Sequence, residues 1–186
     1  FKEKTRNPWD PTKGSSGSSA GSASAVAAGL LPFAIGTETL GSIISPSTIC
    51  GTTGLRPTFG RVSRHGAMAL SWSMDKIGPI CRSAEDSAAV FRVILGPDGK
   101  DLSVKHFPFN YDAVEDSICS LRIGYHQSAF DQDYGFKEQD AATLETLRNL
   151  GHELIPIELP EMPDIGFILT VEAAAAFDEL TLSGQD

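Results

Sequence analysis

The sequence is poor in the residues that build disulfide frameworks, metal sites and membrane spans. It has three cysteines in 186 residues, Cys50, Cys81 and Cys119, odd in number and widely spaced. They form neither a disulfide framework nor a CxxC zinc site, and a reducing compartment or indifference to redox is the plain reading. No apolar run reaches the roughly 20 residues that a membrane helix needs. The longest, Ala25 to Ile35, is interrupted by Gly29 and Pro32. No signal peptide follows Phe1, so a cytoplasmic location is expected. Lys and Arg do not cluster either. The formal charge is −9, with seven Lys/Arg against three Asp/Glu in residues 1–70 and eight against twenty-one in residues 71–186. An acidic chain of this kind is not expected to bind nucleic acid directly, and its acidic half reads as a solvated surface.

The rest of the composition is that of an ordinary globular protein, 41% hydrophobic and 21% charged. A chain of this length can bury roughly two-thirds of its unfolded surface without staples. Residues 1–24 are rich in Ser and Gly, as a linker would be, but they run straight into SASAVAAGLL. Ser22 to Leu30 reads as a helix, Leu31 to Ile35 as a short buried strand, and a second short helix precedes Cys50. Ser83-Ala84-Glu85-Asp86 resembles a capping box ahead of an apolar face that ends near Gly96. Residues 97–119 read as a connection. Leu121–Tyr125 and Glu153–Leu159 read as strands, with an amphipathic helix over Lys137–Leu150 between them and Gly151 as its C′ residue. Gly166 to Leu182 reads as a helix. Strand–helix–strand over 121–159 is the pattern of a parallel βαβ unit, so the fold class is α/β, a mixed β-sheet flanked by helices.

The chemistry lies between Asn7 and Arg64. Nineteen serines occur in the chain, so no single one is informative. Two serine–glycine turns joined by a helix and a strand are informative: GSSGSSAGS at 14–22 and TETLGSI at 37–43. Glycine lets backbone amides approach a ligand and lets a Ser at the tip expose its hydroxyl. A phosphate loop is excluded because no Gly-Lys-Ser/Thr follows. A nucleophile elbow fits Gly17-Ser18-Ser19-Ala20-Gly21, with Ser19 central, but NPWDPTKGSS is not the hydrophobic strand an elbow requires.

The stretch NPWDPTKGSSGSSAGSASAVAAGLLPFAIGTETLGSIISPSTICGTTGLRPTFGRVSR resembles the signature region of the amidase signature family, and the likeness continues through SMDKIGPICRSAEDSAAVF at 73–91. The chain is thereby identified as a partial amidase signature domain over 1–186, with the signature at about 7–64. The resemblance implies amide hydrolysis by a Ser–cis-Ser–Lys triad through a serine acyl-enzyme. Ser42 matches the acyl-forming nucleophile, and Ser18, 24 residues earlier, matches the bridging serine with the cis peptide bond. The backbone amides of Thr39, Leu40, Gly41 and Ser42 match the oxyanion hole. A Ser hydroxyl is a weak nucleophile that must lose its proton as it attacks. A desolvated neutral Lys can accept that proton through a second Ser. The two hydroxyls are therefore expected at roughly 2.6–3.2 Å.

The resemblance also carries departures. The family's catalytic Lys lies on a strand several tens of residues upstream, whereas this chain begins 17 residues before Ser18, and Lys2, Lys4 and Lys13 are too close to serve. An interior fragment, inactive alone, is the expectation. Leu40 stands where members often have Gly, and Glu38 where they commonly have Asp. Ile44 stands where many, including the transamidase subunit that loads glutamine on tRNA, have Arg; this favours a general amidase. Part of the amidase-type subunit of a glutamyl-tRNA(Gln) amidotransferase, or a non-catalytic scaffold, is the alternative. Asp75 reads as structural, bonding backbone amides or an Arg. The expected partner is a small-molecule amide substrate, with no membrane, no metal, no cofactor and a possible homodimer.

Overall fold

The computed structural model describes residues 3–111 and 120–184. Cys119 and the end of the 97–119 connection lie outside the described residues. The chain divides into two compact units, one formed by the described residues up to 111 together with those from 165 on, the other by those from 120 to 164.

The first unit opens with a hairpin of β1 (Arg6–Asn7) and β2 (Asp10–Gly14), paired antiparallel. The NPWDPTKGSS segment thus does contain a strand, though not the hydrophobic one an elbow requires. It is a polar one, and hydrophobic patterning gives no signal for it. Nor is this stretch a linker: the Asn7 side-chain amide donates to the Ile49 carbonyl at 2.9 Å, and the Trp9 indole N–H to the Cys50 carbonyl at 2.8 Å. Helix α1 (Ala20–Ala27) follows, ending before Gly29 at φ +73°. Its buried Ala23 and Val26 pack with Ile43, Cys50 and Ile80 into the core.

Strand β3 covers Ala34–Glu38, three residues later than the sequence suggests. Leu31, Phe33 and Ile35 are exposed, so the apolar residues are not the buried ones; Gly36 and Glu38 are. Helix α2 (Ile44–Cys50) and strand β4 (Thr53–Gly54) come next, then β5 (Lys76–Cys81), which sequence patterning misses because Gly78-Pro79 sits within it. The sheet order is β3-β5-β4, antiparallel throughout, with Ala34 opposite Ile80 and Glu38 opposite Lys76. Gly36 is where three elements converge: a Cβ there would meet Ile43 Cγ1 and Ser19 Oγ at 2.9 Å and Ile80 Cδ1 at 3.0 Å.

Helix α3 (Ala84–Ile94) begins as its capping sequence implies, the Ser83 hydroxyl accepting from the Asp86 amide at 3.0 Å. In the second unit, β6 (Arg122–His126) pairs parallel with β7 (Glu153–Ile157). Between them lie α4 (Gln127–Asp131) and α5 (Lys137–Asn149). Helix α5 ends as expected. Gly151 takes φ +87°, its amide donates to the Arg148 carbonyl at 2.9 Å, and the His152 amide donates to the Leu147 carbonyl at 3.1 Å. That pair of bonds is a Schellman motif.

Helix α6 (Gly166–Ser183) belongs to the first unit and closes it. Its Glu172 carboxylate accepts from the Ser71 hydroxyl, and from the amide and hydroxyl of Ser73 at 3.1 and 3.0 Å. The chain thus contains helices with sheets of both strand directions, the α/β class inferred from the sequence. No helix among the described residues is long and apolar enough to cross a membrane.

Candidate active site

The first serine turn is fixed by backbone and hydroxyl contacts. The buried Ser15 amide donates to the Thr5 carbonyl at 2.9 Å, and the Gly17–Ser18 peptide bond is cis. Ser16 holds φ +63°, a conformation that costs a non-glycine residue about 1–2 kcal/mol. Its hydroxyl meets that of Ser45 at 2.6 Å, tying the strained residue to α2. Ser19 is buried, and its hydroxyl is committed to β3: it donates to the Thr37 carbonyl and accepts from the Thr37 amide, both at 3.1 Å. That double bond to the strand removes Ser19 from contention as an elbow nucleophile.

The second turn is clamped at both ends by charged side chains. Glu38, 1% exposed, accepts with one oxygen from the amides of Ile43 at 2.8 Å and Ile44 at 2.9 Å, and its other oxygen faces Arg56 at 3.5 Å. The carboxylate therefore does what an N-cap side chain does for α2. Ser42 does not cap the helix; the residue at that position is Ile43, with no side-chain cap bond. At the other end, the Thr39 hydroxyl donates to Asp75 at 2.6 Å, and Lys76 Nζ donates to the Thr39 carbonyl at 3.2 Å and also to that of Met74. Asp75 is the structural residue expected: its second oxygen accepts from the amides of Leu70 and Ser71 at 2.8 and 3.0 Å. Between the clamps, the amides of Thr39, Leu40, Gly41 and Ser42 donate to no protein acceptor among the described residues. Gly41 turns the chain at φ +105°, and the Leu40 side chain is 58% exposed.

The two turns meet through the main chain, the Ser19 amide donating to the Ser42 carbonyl at 3.1 Å. The expected direct bond between the Ser18 and Ser42 hydroxyls is not among the hydrogen bonds of the described residues. The contact between the turns is instead made by the main chain, which holds Ser42 by its carbonyl and leaves its hydroxyl uncommitted to Ser18.

A cavity of about 370 Å³ adjoins the turns, with Ser18, Thr37 and Thr39 in its wall together with Arg64, Asp75 and Lys76. Ser42 is not part of that wall. Arg64 is fully engaged, donating to Asp101 at 3.1 Å, the Trp72 carbonyl at 2.6 Å and Ser103 at 3.0 Å. Burial lowers the pKa of Lys76, helped by the Arg56 and Arg64 charges and opposed by Glu38 and Asp75. Sequence reasoning misses Arg64 and Lys76, because the contacts that place them span many residues and leave no local pattern. No group of three or more His, Cys, Asp or Glu among the described residues is arranged to hold a metal.

The model of the amidase family matches residues 1–183, and the chain belongs to that family. It is similar to a glutamyl-tRNA(Gln) amidotransferase subunit from Prochlorococcus marinus, 42% identical over 165 residues, which covers 86% of this chain and 34% of the relative. A Geobacillus kaustophilus protein of the same name is 44% identical over 160 residues, covering 84% of this chain and 33% of the relative. The chain thus spans about a third of the length of these curated relatives. Among solved structures, the glutamyl-tRNA(Gln) amidotransferase subunit of Thermotoga maritima superposes with a TM-score of 0.85 at 31% identity, covering 96% of this chain and 40% of that one. The peptide amidase of Stenotrophomonas maltophilia superposes with a TM-score of 0.72 at 33% identity, covering 94% and 39%.

Proposed function

We propose that the protein to which this chain belongs hydrolyses the carbon–nitrogen bond of an amide through an acyl-enzyme on Ser42. The observation that carries this reading is the junction of the two serine turns, with four amides at residues 39–42 unclaimed by protein acceptors among the described residues. Ser42 Oγ attacks the amide carbonyl carbon and gives up its proton through Ser18. The oxygen of the tetrahedral intermediate collects negative charge, which the amides of residues 39–42 stabilise. The C–N bond then breaks, the amine leaves with the proton returned through Ser18, and water releases the acid from Ser42. Lys13 is no base for this relay, since it pairs with Asp10 at 3.2 Å on the surface. The base is the family's lysine, supplied by the full-length protein.

A general amidase is the reading that Ile44 favours. The amidotransferase reading draws on the curated relatives of that name, 41% to 44% identical. Ammonia release from simple amides by the full-length protein alone supports the first reading; release from glutamine only with partner proteins supports the second.

Ser42→Ala in the full-length protein is expected to lower turnover by at least about 10⁴-fold, and Ser18→Ala by about 10²–10⁴-fold. Unchanged ammonia release from the Ser42→Ala protein would rule out the acyl-enzyme on this residue.

A further inference from the structure

The turn that carries Ser18 is anchored on both sides of that residue. Ahead of it, the Ser15 amide donates to the Thr5 carbonyl at 2.9 Å. Behind it, the Ser19 hydroxyl is held by Thr37 and the Ser19 amide by the Ser42 carbonyl. Between those anchors, residues 16–18 share a single hydrogen bond with anything outside the turn among the described residues. It is the 2.6 Å bond between the Ser16 and Ser45 hydroxyls. The same Ser45 reaches the other turn, its amide donating to the Gly41 carbonyl at 2.8 Å. It also directly follows Ile43 and Ile44, whose amides the buried Glu38 carboxylate holds. Ser45 is thus a fixed point between the residue before Ser42 and the residue two before Ser18.

Stability does not account for this contact. Both side chains are exposed, where water competes for each hydroxyl, so the net contribution of the bond is small. Ser16 is the one non-glycine residue with positive φ among the described residues, a conformation that glycine takes at less cost. What serine adds at that position is a hydroxyl that meets Ser45. We propose that Ser45 is a positioning residue for the proton relay, setting through Ser16 the distance and orientation of the Ser18 hydroxyl toward Ser42. The proposal rests on the acyl-enzyme reading above and names a device of that same site. Neither hydroxyl of the pair takes the transferred proton; Ser45 acts on Ser18 through the backbone of residues 16 and 17. A misplacement of about 1 Å in a reacting group can cost on the order of 10²-fold in rate. The main-chain bond from Ser19 to Ser42 survives loss of the pair, so the loss is partial.

The test uses the full-length protein and a small alkyl fluorophosphonate. Ser42 Oγ bonds to phosphorus as the P–F bond breaks, fluoride leaves, and the serine proton passes through Ser18 to the base. The labelling rate therefore reads the nucleophile and its relay without any amide substrate. Ser45→Ala is expected to slow labelling about tenfold. Its melting temperature should be unchanged or slightly higher, since alanine favours the helix. Ser45→Thr, which keeps the hydroxyl, should retain most of the rate. Ser16→Gly breaks the same bond from the other side and should slow labelling similarly while easing the backbone. The double variant should be no slower than the slower single one, because both changes remove one bond. Unchanged labelling of Ser45→Ala overturns the proposal, as do losses that multiply in the double variant or that follow a lowered melting temperature. If the unaltered protein is not labelled, or Ser42→Ala still is, the acyl-enzyme reading falls and the positioning role with it. Labelling that depends on Ser42 but is indifferent to Ser45 removes the positioning role alone.

Discussion

Between residues 15 and 80 the loops are fixed by side chains reaching across the chain, whereas between residues 120 and 157 regular elements fix one another. In the first region a single carboxylate, Glu38, sets the start of α2, and Asp75 and Lys76 hold Thr39. In the second, a parallel strand pair and a Schellman turn set the geometry, and its ion pairs, such as Arg122–Glu153 and Arg148–Glu145, are exposed. Exposed pairs of that kind contribute little. The difference has a chemical reason. A loop that must leave its own amides free cannot be stabilised by consuming them, so its stability has to come from charged groups at its ends.

The comparison is broken most directly at Glu38. Glu38→Ala orphans the amides of Ile43 and Ile44 and is expected to cost about 2–4 kcal/mol. Displacing Ser42 should also lower turnover by about 10²-fold. A thermal melt and an ammonia assay on the full-length protein read both, and a variant with wild-type stability and rate would deny the clamp. Gly36→Ala comes next, at about 1–3 kcal/mol from overpacking against Ile43, Ser19 and Ile80; denaturant midpoints measure it. Gly151→Ala sharpens the contrast from the other side. It should cost about 1 kcal/mol through the left-handed backbone at φ +87° and leave the rate of amide hydrolysis unchanged.

The smallest effect is expected on acidification. Asp98 accepts from the Ser63 hydroxyl and from the amides of Lys100 and Asp101, which lower its pKa to about 2. A carboxyl with a depressed folded pKa stabilises above its ordinary value, and that contribution is lost as pH falls through the folded one. The loop carrying Lys100 and Asp101 should therefore loosen between about pH 4 and pH 2. An NMR titration of Asp98 with a midpoint near 4 would contradict this.

The second region is the more legible in the sequence. Periodicity places α5, Gly151 marks its end, and alternation locates β6 and β7 to within a residue or two. Ser83 announces α3 in the same local way. The first region yields to motif but not to pattern. The two serine turns stand out, while β3 reads three residues early because the exposed Leu31, Phe33 and Ile35, of which only Ile35 lies in the strand, look like core. Glu38 shows only as a departure from Asp, since nothing local reveals that a strand glutamate reaches two amides beyond the next turn. Lys76 is invisible for the same reason: the fold, not sequence spacing, brings its ammonium to the Thr39 carbonyl.

The contact from Glu172 to Ser71 and Ser73 has a consequence for how the cavity is built in time. Trp72, part of the cavity wall, sits between two residues whose polar groups are satisfied by a helix some hundred positions further along the chain. During synthesis the serine turns can form as soon as β5 emerges, but the wall at Trp72 takes its final form only when α6 arrives. Ser42, the proposed nucleophile, is thus synthesised well before the helix that braces Ser71 and Ser73.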